Sequence, residues 1–152
     1  MATAALCALP VLAMAHDEDA GSPARAAQAT RTVTFTASDR MQFEPARLEV
    51  TRGQIVRLRI VNAGKLPHEF VLGTAAQIDA HAKMMRDMPN MVHEDASSIR
   101  IAPGATGQIV WRFDKAGTFT YACLIAGHFE AGMHGVVVVT DRAGGRRRAR
   151  AR

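Results

Sequence analysis

Sulfur pairs and aromatic rings are scarce in this chain. Its 152 residues contain two cysteines, one tryptophan, one tyrosine and six phenylalanines. Two cysteines cannot form the framework of a disulfide-stapled scaffold. The sequence shows no internal repeat and no glycine pattern for cradling phosphate. It has no G-x-S-x-G, no H-E-x-x-H and no carboxylate pair placed for acid–base work. These absences argue against solenoids, nucleotide binders and the common hydrolases. No stretch of the mature chain is long and apolar enough to span a membrane. An overall basic character is also missing, despite a formal net charge of +5. Residues 141–152 carry six Arg and one Asp, which accounts for all of it. The remaining 13 basic and 13 acidic residues cancel. A chain of this length, 48% apolar and 22% charged, suits one globular domain with a real core.

The chain opens on ATAALCALPVLAMA, an apolar run ending in Ala13-Met14-Ala15. This reads as the hydrophobic region and cleavage site of a secretory signal over residues 1–15, and so as an exported protein. Its basic opening is absent, so the true start is expected upstream of Met1. Cys7 is a poor lipidation site, because Leu6 precedes it and the apolar run continues beyond it. After cleavage Cys123 is the one remaining thiol, and a lone thiol in an exported protein is reactive, pairs between chains or binds metal. Residues 16–30 read as a mobile leader of small and polar residues. His16 beside a new amino terminus could bind Cu(II) there, or form part of a solvated acidic start. The tail 141–152 reads as disordered; nucleic-acid binding conflicts with export.

Between these ends the pattern is mostly period two. Val33, Phe35 and Ala37 alternate with threonines. Val56, Leu58 and Ile60 alternate with Arg57 and Arg59, and Ile109, Trp111 and Phe113 with Val110 and Arg112. Met41 to Pro45 reads as a bend with apolar anchors. His68 opens a short strand after the break Asn62-Ala63-Gly64-Lys65. Phe119, Tyr121 and Cys123 share one face, and Val136–Val139 is continuously apolar, as for a strand covered on both sides. Residues 75–92 differ: they are rich in Ala and Met and read as one helix ending near Pro89. About seven short strands with one helical insert predict an all-β, Greek-key β-sandwich over residues 31–140.

The chemistry gathers in TFTYACLIAGHFEAGMHGVVVVT, residues 118–140, a strand, a loop and a strand. Cys123, His128 and Met133 stand there in C-x4-H-x4-M spacing. Thiolate, imidazole and thioether on one loop suit copper, and a His2Cys set with a weak axial Met is the blue-copper arrangement. His68 supplies the missing histidine best: it begins a strand at a sheet end, where a Greek key can bring distant segments together. His81 and His93 are less well fixed. His134 follows Met133 directly, so the two side chains diverge.

This set resembles the cupredoxins, the type 1 copper proteins. The matching residues are M-x-F-x-P from Met41 to Pro45, the G-x-x-V-x-L-x-I-x-N run from Gly53 to Asn62, His68, Pro103-Gly104, G-T-F-T-Y-A-C from Gly117 to Cys123, His128, and G-M-x-G from Gly132 to Gly135. The H-E-F at His68 and the Met-rich insert look most like the periplasmic cupredoxins of bacterial copper tolerance. The resemblance implies one type 1 copper held by His68, Cys123, His128 and Met133. It also implies that the His128 edge is an electron port, with Leu124, Ile125 and Phe129 in an apolar rim where a redox or copper-donor partner docks. No nucleic acid is expected, and a monomer is.

Two readings of the insert stand side by side. Met84, Met85, Met88 and Met91, with His81 and His93, could form a second Cu(I) site or a docking face for a copper donor. The same residues could be the packing stripe of an amphipathic helix, since Met fills core gaps well. The expected job is copper tolerance, with one-electron carriage between respiratory partners as the alternative. An enzyme is not expected, because type 1 sites are saturated with protein ligands and no second histidine-rich cluster stands in the sequence.

Overall fold

The computed structural model describes residues 19–88 and 95–141. The signal segment 1–15, residues 16–18, Met91, His93 and the tail from residue 142 lie outside the described residues.

Among the described residues, ten strands form two five-stranded sheets that close on one core. In chain order they are β1 (Ser22–Pro23), β2 (Arg31–Ser38), β3 (Gln42–Glu44), β4 (Arg47–Thr51), β5 (Ile55–Asn62), β6 (His68–Gly73), β7 (Ser98–Ile101), β8 (Thr106–Arg112), β9 (Gly117–Ala122) and β10 (His134–Thr140). One helix, α1 (Ala75–Asp87), lies between β6 and β7. The first sheet runs β1-β8-β5-β2-β3 and the second β4-β10-β9-β6-β7. Pairs β2–β5 and β4–β10 are parallel, and the remaining pairs are antiparallel. This is the sandwich that the alternating pattern predicts.

The inner faces meet as period two requires. Val56, Leu58 and Ile60 of β5 are buried, as are Phe35 and Ala37 of β2. The centre is a cluster of rings from both sheets. Tyr121 stacks on Phe70 with centroids 5.1 Å apart and meets Phe35 edge-on at 4.9 Å. Its hydroxyl donates to the Pro45 carbonyl at 2.5 Å, so the buried phenol has the partner it needs.

Strand β6 shows no alternation, because all six of its residues are buried. Its inner face joins the ring cluster through Phe70 and Leu72. Its outer face is covered by α1, where Val71, Ala122 and Leu124 meet Ile78, Ala82 and Met85. The helix begins at a capping box: Thr74 accepts from the Gln77 amide, and the Gln77 side chain accepts from the Thr74 amide. It ends at Asp87, with Met88 as its cap.

Two expectations are corrected. Residues 19–30 are not a mobile leader. Ala20 is buried in the core, and Ser22 and Pro23 pair with Arg112 and Trp111 at the edge of β8. The small residues permit close backbone approach; a Cβ on Gly21 would lie 1.8 Å from the Arg112 carbonyl oxygen. Nor is Val136–Val139 covered on both faces. Val137 and Val139 are buried while Val136 and Val138 are half-buried, because α1 packs mainly on β6 and β9.

Candidate metal centre

The site forms at one end of the sandwich from segments far apart in sequence. Antiparallel pairing of β6 with β9 sets Val71 opposite Ala122. That register brings the start of β6, with His68, beside Cys123, which follows β9 directly. Cys123 and Met133 belong to the inner core cluster with Tyr121 and Phe70. Ala122 and Leu124 face the other way, toward α1. The alternation of Phe119, Tyr121 and Cys123 thus aims the thiol inward, as the sequence predicts.

His68, Cys123 and His128 each present a donor atom, and all three atoms lie within 4.8 Å of one another. Among the described residues no other group of three His, Cys, Asp or Glu side chains converges this way. Cys123 Sγ is 3.3 Å from His128 Nδ1, and the His68 and His128 rings are 5.2 Å apart at their centroids. His68 and Cys123 are fully buried, and His128 is half-buried. Met133 is fully buried on the same loop. The loop closes on itself through the backbone: the Cys123 amide donates to the Met133 carbonyl at 2.9 Å, and the Met133 amide to the His128 carbonyl at 3.0 Å. The four sequence candidates therefore share one end of the core.

The donor set fits a soft or borderline metal ion. Burial pushes the Cys123 thiol up to about 11, against the lowering effect of the Glu69 and Ile125 amides. The Glu69 N–H donates to Sγ at 3.3 Å. Burial, and then the neighbouring His68, lower the pKa of His128, which favours a neutral ring with a free lone pair. His68 Nδ1 is buried with no hydrogen-bond partner. An orphaned imidazole nitrogen costs stability unless something binds it, and beside a thiol and a second imidazole that something is a metal ion.

Two residues that the sequence did not assign to the site shape it. Asn62 is buried, and its amide donates to the carbonyls of Leu66 and Ile101 while accepting from Gly64. This staples the turn that delivers His68. Asp39 accepts from the amides of Lys65 at 2.7 Å and Leu66 at 3.2 Å, and lies 3.4 Å from His68 Nε2. Those two amides, and then His68, hold its carboxyl below the usual range. Neither role was visible beforehand: Asn62 read only as the end of a strand and the start of the break before His68, and nothing in the sequence singled out Asp39.

The helix candidates separate. Met85 is buried in the outer cluster, Met84 is half-buried and Met88 is exposed. His81 lines a cleft with Asp19, Gln77, Asp95 and Trp111. The expected apolar rim also changes: Leu124 is buried beneath α1 and cannot belong to it. Phe129 packs on that cluster and Ile125 packs on the main core, while Leu66, two residues before His68, is exposed. His134 is exposed while Met133 is buried, so the two do diverge.

Comparison with known proteins agrees with this geometry. The family model described as a cupredoxin-like domain matches residues 3–139. The copper-resistant cuproprotein CopI of Rubrivivax gelatinosus is 56% identical over 129 residues, covering 84% of this chain and 78% of that protein. The copper-resistant cuproprotein CopI of Pseudomonas aeruginosa is 35% identical, covering 82% of this chain and 84% of the relative. Among solved structures, auracyanin B superposes with a TM-score of 0.67 at 24% identity, covering 81% of this chain and 98% of that one. With the fold, the family model and these relatives in agreement, the chain belongs to the cupredoxin-like family.

Proposed function

We propose that this chain is a periplasmic type 1 copper protein, exported by its signal segment, that serves copper tolerance. The observation that carries this reading is the convergence of His68, Cys123 and His128 in one cluster at the end of the core. Relatives named for copper resistance support the biological role. Copper is the cofactor, held by His68, Cys123 and His128, with Met133 as the fourth ligand. When bound, it supplies one-electron chemistry between Cu(I) and Cu(II).

The chain's own residues prepare that chemistry. With its pKa at about 11, the free Cys123 thiol keeps its proton, so metal binding releases it. The Glu69 amide remains aimed at the sulfur and stabilises the negative charge that develops. Full burial of Cys123, His68 and Met133 excludes water from the donor atoms. The backbone bonds among Cys123, His128 and Met133 hold the loop in one shape, which keeps reorganisation small. His128, the half-buried member, marks the edge at which a redox or copper-donor partner docks. The role is binding and one-electron transfer by a monomer, not catalysis.

Loading the purified chain with Cu(II) should produce an intense thiolate-to-copper charge-transfer band that Cys123→Ser abolishes. A strain lacking the gene should grow poorly on copper and be restored by the wild-type gene but not by Cys123→Ser. Loss of respiration with normal growth on copper would overturn the tolerance role in favour of electron carriage.

A further inference from the structure

The contact between His68 and Asp39 has a specific construction. His68 opens β6 fully buried, and its Nδ1 has no partner. Its Nε2 lies 3.4 Å from Asp39 Oδ1, with the N–H not aligned for a full hydrogen bond. Asp39 directly follows β2, on the other sheet. Its carboxylate is held by the amides of Lys65 and Leu66, in the turn that leads into His68. Gly64 makes room for it: a Cβ there would lie 2.0 Å from Asp39 Oδ1 and 2.7 Å from its Cγ. The glycine serves space here, since its φ is not in the left-handed region. Two amides and one missing side chain thus place a negative charge at the back of a buried imidazole.

We infer that Asp39 is a positioning residue for the metal centre, whose carboxylate sets the tautomer and donor strength of His68 and favours the oxidised state of a bound copper ion. This rests on the copper-binding reading above. A carboxylate facing Nε2 keeps the proton on that nitrogen and leaves the Nδ1 lone pair for the metal. A nearby negative charge stabilises Cu(II) more than Cu(I), because the interaction scales with ion charge. Asp39 is about one-third exposed, with 36% of its side-chain surface accessible. Solvent therefore screens the effect and places it at the low end of what such partners contribute, about tenfold in affinity. A residue that only stapled the turn would weaken both oxidation states together.

The test uses the full chain and two variants, Asp39→Asn and Gly64→Ala. The first removes the charge; the second displaces the carboxylate by a Cβ clash. Cu(II) affinity is measured by competition, Cu(I) affinity with a chromophoric chelator, and the reduction potential by redox titration. Both variants should keep the charge-transfer band and lose about tenfold in Cu(II) affinity, with Cu(I) affinity nearly unchanged. A tenfold change in that ratio is a rise of about 59 mV for a one-electron couple. Nitrogen-15 NMR of the Cu(I)-loaded wild type, which needs no variant, should show the His68 proton on Nε2. Potentials that stay put or fall in both variants, or a proton on Nδ1, would overturn the inference. A wild-type chain without the charge-transfer band overturns the copper reading and this inference with it. A normal band with unmoved potentials overturns this inference alone.

Discussion

Truncating Met85 separates the two roles that the methionine-rich helix could play. Met85 is 4% exposed and sits with Ile78, Ala82, Val71, Ala122 and Leu124, with Phe129 against them. It therefore supports the strand that ends at Cys123 and the loop that carries His128. Fully burying a methionine side chain contributes about 1.5–3 kcal/mol. Truncation of a core methionine to alanine costs about 2–5 kcal/mol once the cavity is included. This cluster lies between a helix and the outer face of a sheet, so part of the cavity can collapse. Alanine is also the slightly better helix former, by about 0.2 kcal/mol. We expect Met85→Ala to lower stability by about 2–3 kcal/mol. With a urea m-value of about 1.5 kcal/mol/M, the unfolding midpoint should fall by about 1.5 M at unchanged slope. Met85→Leu conserves volume and should cost less than about 1.5 kcal/mol. Its Cu(I) stoichiometry, read by titration against a chromophoric chelator, should equal that of the wild type. If Met85→Leu instead lost a copper equivalent at unchanged stability, Met85 would be a ligand and its assignment to the core would be wrong.

Four further outcomes follow from the packing. Tyr121→Phe leaves the Pro45 carbonyl without its donor and should cost about 1–2 kcal/mol by chemical denaturation, because a part-buried acceptor loses its partner. Gly135→Ala should cost about 3 kcal/mol or more in the same assay: its Cβ would lie 2.3 Å from Tyr121 and 2.5 Å from the Ala46 carbonyl, which is already fixed by the Val136 amide. The Arg86–Glu130 pair joins α1 to the ligand loop at 3.1 Å, but both side chains are about half exposed. A double-mutant cycle with Arg86→Gln and Glu130→Gln should return no more than about 0.5 kcal/mol of coupling, and less at high salt. If the exposed Leu66, two residues before His68, lies on the face through which copies meet, Leu66→Asp should slow electron self-exchange between Cu(I)- and Cu(II)-loaded copies about tenfold, as like charges meet across the encounter, and an unchanged rate would place it outside that face.

Most of the sandwich was legible because strands such as β2, β5 and β8 alternate apolar with polar residues. Val56, Leu58 and Ile60 against Arg57 and Arg59 allow one reading only, and the structure agrees. Period two also aimed Cys123 correctly, since Phe119 and Tyr121 share its face. The failures have physical causes. Strand β1 has two residues, one of them proline, and its composition is the same whether it is free or pressed flat on β8. The four valines of β10 match a fully covered strand in sequence. Whether a helix lies over them depends on where α1 settles, and that is tertiary information. Leu124 was misplaced for the same reason: it follows the candidate ligand Cys123 in sequence, but its neighbours in space are Ile78, Ala82 and Met85. Asp39 was unreadable because its partner His68 lies on the far side of three strands.

The changed position of Leu124 bears on how the site is held. The alternation beyond β9 gives consecutive residues opposite duties. Cys123 turns into the sandwich core, and Leu124 turns out under α1. The thiol is thereby clamped between two packed layers, and its displacement would have to unseat Leu124 from the helix. Met133 is tied to Cys123 through the backbone amide and carbonyl, so it shares that clamp. His68 is fixed by β6 and by the turn that Asn62 staples. His128 alone stands on residues held mainly by loop bonds, and it is also the one half-buried member of the set. Rigidity and access are thus divided among the ligands. Three sit buried in packed layers, and the fourth is half-buried. On the proposed copper reading, this division would route exchange of metal or electrons through the His128 edge. The helix acts on the site by holding Leu124 and Phe129 in place, a role that needs none of its methionines to bind copper.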